Sequence, residues 1–160
     1  MTAMILRTRL LPRPSPLQGQ SSRLASVVLA GLGFLDLGRG CIHLFASDGG
    51  AGQIAGIDLT RGGDVIVMLF AVLGASQILW GVLNLLVALR YRAFVPLLLL
   101  LQTVQHALGA WILWVYKPLK VPAPGKFGVL VVVPVLALAL WTSLREPAVA
   151  HDDVRETPVQ

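Results

Sequence analysis

The chain has 160 residues, of which 56% are hydrophobic and 13% charged, with a net charge of +5 at pH 7 and a mean hydropathy of +0.76. This composition excludes a soluble globular domain and a disordered chain, because the apolar residues are gathered into runs long enough to cross a bilayer, roughly 20 residues. A single cysteine, Cys41, excludes an internal disulfide. The basic residues lie mostly at the ends of the runs, where membrane topology explains them without a nucleic-acid partner.

Four apolar runs predict an all-α integral membrane protein, an up-down four-helix bundle within residues 24–145. The preceding segment, 1–23, is basic and contains prolines. It is predicted to be a cytoplasmic arm and not a cleavable signal, whose apolar region spans only about 7–15 residues. Residues 146–160 are polar and are predicted to be a disordered tail. Pro134, inside the fourth run, predicts a kink. The predicted spans are residues 24–46, 65–89, 93–116 and 127–144.

The distribution of Lys and Arg predicts the orientation. The arm, the second loop and the tail together carry eight of these residues, and the first and third loops carry four. The positive-inside rule then places both termini on the cytoplasmic side of the membrane, with the spans in contact with lipid. The sequence is compatible with binding to another membrane protein or to a second copy of the chain, and it does not decide between them. Trp80 falls in the middle of the second span and is predicted to point into the bundle.

Polar residues recur at helical spacing inside the first three spans. Asp36, Arg39 and His43 stand at i, i+3 and i+7, on the same face as Gly33 and Gly40. The fourth span is almost purely apolar and is predicted to face lipid. The sequence therefore predicts a buried polar site on the first three helices, formed by Asp36, Arg39, His43, Gln77, Asn84, Gln102 and His106.

An Asp and an Arg near the bilayer centre cost about 2.5–3.5 kcal/mol each on the insertion scale. Asp36 and Arg39 should therefore pair with each other, or face partner helices or trapped water. A rise of 1.5 Å per residue puts Asp36, Arg39, Gln77 and His106 at about 18–22 Å from the inner end, and His43 at about 28 Å.

Three functions fit this pattern. The first is a non-enzymatic accessory subunit whose polar face packs helices; the second is a small-ligand transporter or proton-handling protein that uses Asp36, Arg39 and His106. The third is a b-type haem or quinone protein, with His43 and His106 as axial ligands of the haem or one of them as a hydrogen-bond donor to a quinone. An offset of about 8 Å between the two histidines argues against haem. No catalytic motif is recognisable, so the sequence favours a protein that is not an enzyme and has no resident cofactor.

The first outer loop, residues 47–64, carries Asp48 and Asp58 just beyond His43. These three side chains could hold a divalent cation. Their spacing matches neither an EF-hand nor a zinc pattern, so no metal site is predicted.

Several short segments carry a resemblance to known proteins. They are Arg-Gly-Cys-Ile-His-Leu-Phe at 39–45, Asp-Gly-Gly-Ala at 48–51, Ile-Ala-Gly-Ile-Asp-Leu at 54–59, and Arg-Tyr-Arg at 90–92. Together they resemble a group of uncharacterised bacterial inner-membrane proteins, and over residues 24–144 the topology is similar to that of DoxX-like four-helix proteins. The resemblance implies a fold and supplies no activity.

Overall fold

The computed structural model describes residues 22–145, and the predicted tail and nearly all of the predicted arm lie outside them. A 3-10 turn, Arg92–Phe94, precedes the third helix, and a π-helical turn, Ile112–Tyr116, extends it. Each of the four resulting segments is long and apolar enough to cross a membrane, which confirms the predicted all-α four-span fold. The helices are α1, Arg23–Phe45; α2, Gly63–Arg90; α3, Val95–Trp111; and α4, Pro124–Arg145.

The helix ends follow from glycine and proline. Gly62 precedes α2 with a φ of 67°, a left-handed conformation that suits glycine. Pro124 begins α4, three residues before the predicted start, because a proline at the first helical position needs no N–H partner. The α4 helix continues through Pro134, so this proline does not end the helix.

The helices pack as two pairs, α1 with α2 and α3 with α4. The α1 helix also contacts α3 and α4, whereas α2 and α3 touch little although they are neighbours in sequence. An apolar core forms at the end of the bundle where α1 begins, and Trp80 is partly buried against it. All four helices contribute to this core: Ala25, Leu29, Leu32, Val87, Ala88, Val95, Leu98, Leu99, Leu136 and Ala139.

Glycines bring α1 and α2 into backbone contact along a line that we call the glycine seam, formed by Gly33, Gly40, Gly74 and Gly81. A Cβ atom on Gly40 would lie 2.8 Å from the carbonyl oxygen of Gly74, and one on Gly81 would lie 2.8 Å from that of Gly33. The pairing of Gly33 with Gly81 and of Gly40 with Gly74 makes the two helices antiparallel. No residue larger than glycine fits the seam unless the helices separate.

The outer surface of the bundle is apolar on all four helices. Phe34, Val72, Leu108 and Val131, one on each helix, are all more than half exposed. The α4 helix buries Val129, Leu136, Ala139 and Ser143 and exposes most of its remaining side chains. Surfaces of this kind are stable in contact with lipid, so the chain is a multi-pass membrane protein that contacts the bilayer.

Candidate functional site

Three buried side chains form a hydrogen-bonded chain across α1, α2 and α3, which we call the buried polar network. The Nδ2 atom of Asn84 donates to Oδ2 of Asp36 at 3.1 Å, and Nε2 of Gln102 donates to Oδ1 of Asn84 at 3.1 Å. Asp36 is 7% exposed, and the two amides are essentially inaccessible. Asn84 therefore connects a carboxylate on one helix with an amide on another.

The glycine seam positions this network. Asp36 follows Gly33 by three residues and precedes Gly40 by four, so its side chain leaves α1 beside the seam. Asn84 stands opposite Gly33, where a Cβ atom would lie 3.2 Å from the Cβ of Asn84. Because side chains lean toward the N-terminus of their own helix, Asp36 and Asn84 lean toward each other across the antiparallel pair.

His106 lies next to the network on α3. Its Nδ1 atom is 2.9 Å from the backbone oxygen of Gln102, one turn earlier in the helix. A carbonyl oxygen only accepts hydrogen bonds, so Nδ1 carries the hydrogen and Nε2 is the nitrogen that can take up a proton. The ring is close enough to Asp36 for the two side chains to interact electrostatically.

Arg39 is exposed and turns away from Asp36 toward the beginning of α4. One of its terminal nitrogens lies 3.6 Å from where a Cβ of Gly125 would stand. Arg39 interacts electrostatically with Asp36, but among residues 22–145 no direct ion pair joins them. The structure thus directs Asp36 to α2 and Arg39 to α4, instead of pairing them along α1.

Among the described residues, His43 and Gln77 make no hydrogen bond to the buried polar network. The Nδ1 atom of His43 is 2.7 Å from the backbone oxygen of Gly49, and its ring packs edge-on against Phe70 at 5.0 Å. His43 therefore faces the outer loop and α2, an arrangement that does not support axial ligation of a haem together with His106. The Oε1 atom of Gln77 is buried and has no hydrogen-bond partner among the described residues.

The two aspartates of the outer loop organise its turns. Asp48 accepts hydrogen bonds from the backbone N–H groups of Gly50 and Gln53, both at 2.8 Å, and Asp58 accepts one from Thr60 at 2.9 Å. These bonds lower the pKa of both carboxyl groups below their ordinary value, for Asp48 chiefly through Gln53. Within residues 22–145, no three His, Cys, Asp or Glu side chains come together as metal ligands would.

The connection between α3 and α4 contains contacts that the sequence pattern did not indicate. Lys126 donates from Nζ to the backbone oxygen of Leu119 at 2.6 Å, and its ammonium lies 4.4 Å from the ring centroid of Trp114. Trp114 in turn donates from Nε1 to the backbone oxygen of Lys126 at 3.0 Å. The only signal in the sequence is a lysine near tryptophans at a membrane interface, which is a common combination.

Comparisons of this chain with protein-family models, with curated proteins and with solved structures find no match. The resemblance to DoxX-like proteins and the bacterial source therefore remain predictions from the sequence. Fold and site together establish a four-span membrane protein with a buried polar network of Asp36, Asn84 and Gln102.

Proposed function

We propose that this membrane protein handles protons inside the bilayer, with Asp36 as the main proton acceptor, His106 as the second and Arg39 as a fixed positive charge nearby. The observation that carries the proposal is the environment of the Asp36 carboxylate. Its carboxylate is buried among helices and held by an amide, while the arginine one turn away in the same helix makes no ion pair with it.

A carboxylate that served only helix packing would be stabilised best by direct pairing with Arg39, because an uncompensated charge in hydrocarbon is costly. In the structure, the partner of Asp36 is the amide of Asn84 instead of Arg39. Asn84 can donate to an ionised carboxylate and, more weakly, to the carbonyl oxygen of a protonated one, so the contact is possible in both states of Asp36. His106 offers Nε2 as a further proton acceptor within electrostatic range of Asp36. These features support reversible protonation.

A second candidate function is helix packing within a larger membrane assembly, as an accessory subunit. It is favoured by the completeness of the hydrogen bonds between Asp36, Asn84 and Gln102, which is also how polar residues hold transmembrane helices together. The two functions differ in one respect: packing requires the hydrogen bonds, whereas proton handling requires the charge of Asp36.

Infrared difference spectroscopy of the protein in lipid nanodiscs tests the proposal. Spectra at two pH values should contain a carboxyl band that disappears in Asp36→Asn and remains in the matched control Asp64→Asn, whose carboxylate is exposed in the first turn of α2. The double variant Asp36→Asn, Arg39→Gln should fold but lose this proton uptake. If no band of Asp36 responds to pH, the packing function stands and the proposal is wrong.

We further propose that the protein resides in a bacterial inner membrane, as the resemblance of its sequence implies. We also propose that both termini are cytoplasmic, because the basic residues are distributed eight to four between the two sides. Reporter fusions decide this. Alkaline phosphatase should be active when inserted in the outer loop at residues 49–56 and inactive when fused after Gln160. Activity at Gln160 would reverse the orientation.

A further inference from the structure

Positive charge gathers where the connection between α3 and α4 meets Arg39. The connection carries Lys117 and Lys120, and Lys126 follows in the first turn of α4. Arg39 approaches from α1, because one of its terminal nitrogens lies 3.6 Å from where a Cβ of Gly125 would stand. We call these four basic residues, Arg39, Lys117, Lys120 and Lys126, the basic cluster.

The basic cluster has no counter-charge on α3, on α4 or in the connection between them. Asp and Glu are absent from residues 65–145. The beginning of α4 is the positive end of a helix dipole, so it does not neutralise Arg39 either. Asp36 acts on Arg39 only at a distance, since its carboxylate accepts from Asn84. Among residues 22–145 no hydrogen bond or ion pair occupies the guanidinium of Arg39, which leaves its donors available to an anion from outside the chain.

The surroundings of the cluster are those of a bilayer surface. Arg39 lies six residues before the end of α1, about 9 Å along the helix, and its long side chain reaches the beginning of α4. The ammonium of Lys126 lies 4.4 Å from the ring centroid of Trp114, and that of Lys117 lies 5.5 Å from the ring centroid of Tyr116. Basic side chains that pack along aromatic rings are typical of the layer of lipid headgroups.

An exposed apolar surface begins directly beside the cluster. Tyr116 is 60% exposed, Phe127 50% and Trp114 38%. The ring of Trp111 stacks on that of Tyr116, with centroids 5.0 Å apart, and Trp114 packs edge-on against Phe127 at 5.7 Å. Positive charge above an apolar surface complements an amphiphile with an anionic head and hydrocarbon chains. A soluble anion or an acidic protein segment would use the charges and leave the apolar surface uncovered.

We propose that the basic cluster binds the headgroup of an anionic phospholipid, whose acyl chains lie along Trp114 and Phe127. The guanidinium of Arg39 presents paired N–H donors that match two oxygens of the phosphate, and the lysines add the attraction of point charges. The site requires only the positive charge of Arg39, so it does not depend on proton uptake at Asp36.

A lipid bound in this way would connect the two helix pairs. The pair of α1 and α2 touches the pair of α3 and α4 mainly through α1. Arg39 belongs to the first pair, and Lys126 to the second. A phosphate held between them should therefore stabilise the assembled bundle, and not merely coat its surface.

Native mass spectrometry of the full chain in mild detergent tests the proposal with phosphatidylglycerol and phosphatidylcholine of identical acyl chains. The wild type should bind its first phosphatidylglycerol about tenfold or more tightly than its first phosphatidylcholine, and Arg39→Gln should weaken this preference about fivefold, the effect expected of one basic residue at a membrane surface. Lys120→Gln, at an exposed position, should weaken it in the same direction and decides the matter alone if Arg39→Gln does not fold.

The matched control is Arg61→Gln, the same substitution at an exposed arginine of the loop between α1 and α2, which also carries Asp58 and Asp64. It should keep the preference of the wild type. Equal binding of the two lipids by the wild type would overturn the proposal. So would an unchanged preference in Arg39→Gln, or a loss in Arg61→Gln as large as that in Arg39→Gln.

Thermal unfolding separates a lipid from the other possible occupants. Phosphatidylglycerol should raise the melting temperature of the wild type more than that of Arg39→Gln, whereas glycerol phosphate, which has the charge but no acyl chains, should not. Equal stabilisation by glycerol phosphate would make the occupant a soluble anion, and a dimer in the mass spectra that Arg39→Gln abolishes would make it the acidic loop of a second copy. Either result would overturn the proposal and leave the role of Asp36 untouched.

Discussion

The glycine seam makes a quantitative prediction for Gly40→Ala. The added Cβ would lie 2.8 Å from the backbone oxygen of Gly74 and 2.9 Å from the backbone nitrogen of Ile78, about 0.6 Å inside the 3.4 Å at which ordinary contact begins. Both atoms belong to the backbone, so no side-chain rotation relieves the overlap and the helices must separate. Overpacking of this kind costs about 1–3 kcal/mol.

Gly38→Ala is the matched control. It lies two residues away in the same helix, and a Cβ there would meet nothing within 4 Å. Both substitutions gain the helix propensity of alanine over glycine, about 1 kcal/mol, so that gain cancels when the two variants are compared. The difference in stability between Gly40→Ala and Gly38→Ala then measures the cost of opening the seam.

Thermal unfolding in a mild detergent provides the assay. A difference of about 1–3 kcal/mol corresponds to melting temperatures roughly 3–10 °C apart for a chain of this length, with Gly40→Ala the lower. Equal melting temperatures, or a Gly40→Ala variant more stable than Gly38→Ala, would refute the close backbone contact between α1 and α2. Gly31→Ala, also free of neighbours within 4 Å, should behave like the control.

Three further predictions concern the network, the loop and the core. Gln102→Leu leaves the buried Oδ1 of Asn84 without its donor and should destabilise the protein by about 1–2 kcal/mol. The control Gln105→Leu, at an exposed position, should change stability by less than about 0.5 kcal/mol, and chemical unfolding measures both variants. Because the folded loop lowers the pKa of Asp48, the ionised carboxylate stabilises the loop at pH values above the ordinary pKa of 3.8. This stabilisation is lost as the pH falls through the still lower pKa that Asp48 has in the folded protein. Hydrogen exchange of the loop amides should therefore accelerate only in that acidic range. A variant keeping only Trp80 should be quenched less by lipid-soluble probes than one keeping only Trp141, which is 49% exposed.

The spans were predictable because a bilayer imposes a simple requirement on sequence: enough consecutive apolar residues to cross it. The glycines of α1 and α2 were recognisable on one face of each helix, since 3.6 residues per turn aligns positions seven apart. Helical periodicity shows which face of each helix carries the glycines, but it does not show which residues that face contacts on the other helix. The register that sets Gly33 against Gly81 depends on the shape of two facing surfaces, and a single sequence does not contain it in readable form.

The partner of Asp36 shows the same limit. Spacing along α1 favours Arg39, three residues later, and a depth estimate of 1.5 Å per residue brings several polar groups to one level. In the structure, the direction and length of the two side chains instead give Asp36 and Arg39 different neighbours. Asp36 is short and leans toward the beginning of α1, where Asn84 stands across the seam, whereas Arg39 is long enough to reach Gly125 at the start of α4. These choices depend on where α2 and α4 lie, which sequence spacing does not reveal.

Under the proposed function, the placement of the network would connect protonation of Asp36 with helix packing. The apolar core lies where α1 begins, and α2 and α3 otherwise touch little, so the bond between Asn84 and Gln102 is a main polar connection between these two helices. Asn84 shares its amide between this bond and Asp36. A proton arriving at Asp36 changes what Asn84 donates to, from a charged to a neutral acceptor, and a hydrogen bond to a charged acceptor is the stronger of the two. Protonation of Asp36 should therefore weaken the contact between α1 and α2 at Asn84, and the uptake of a proton would change how these helices pack.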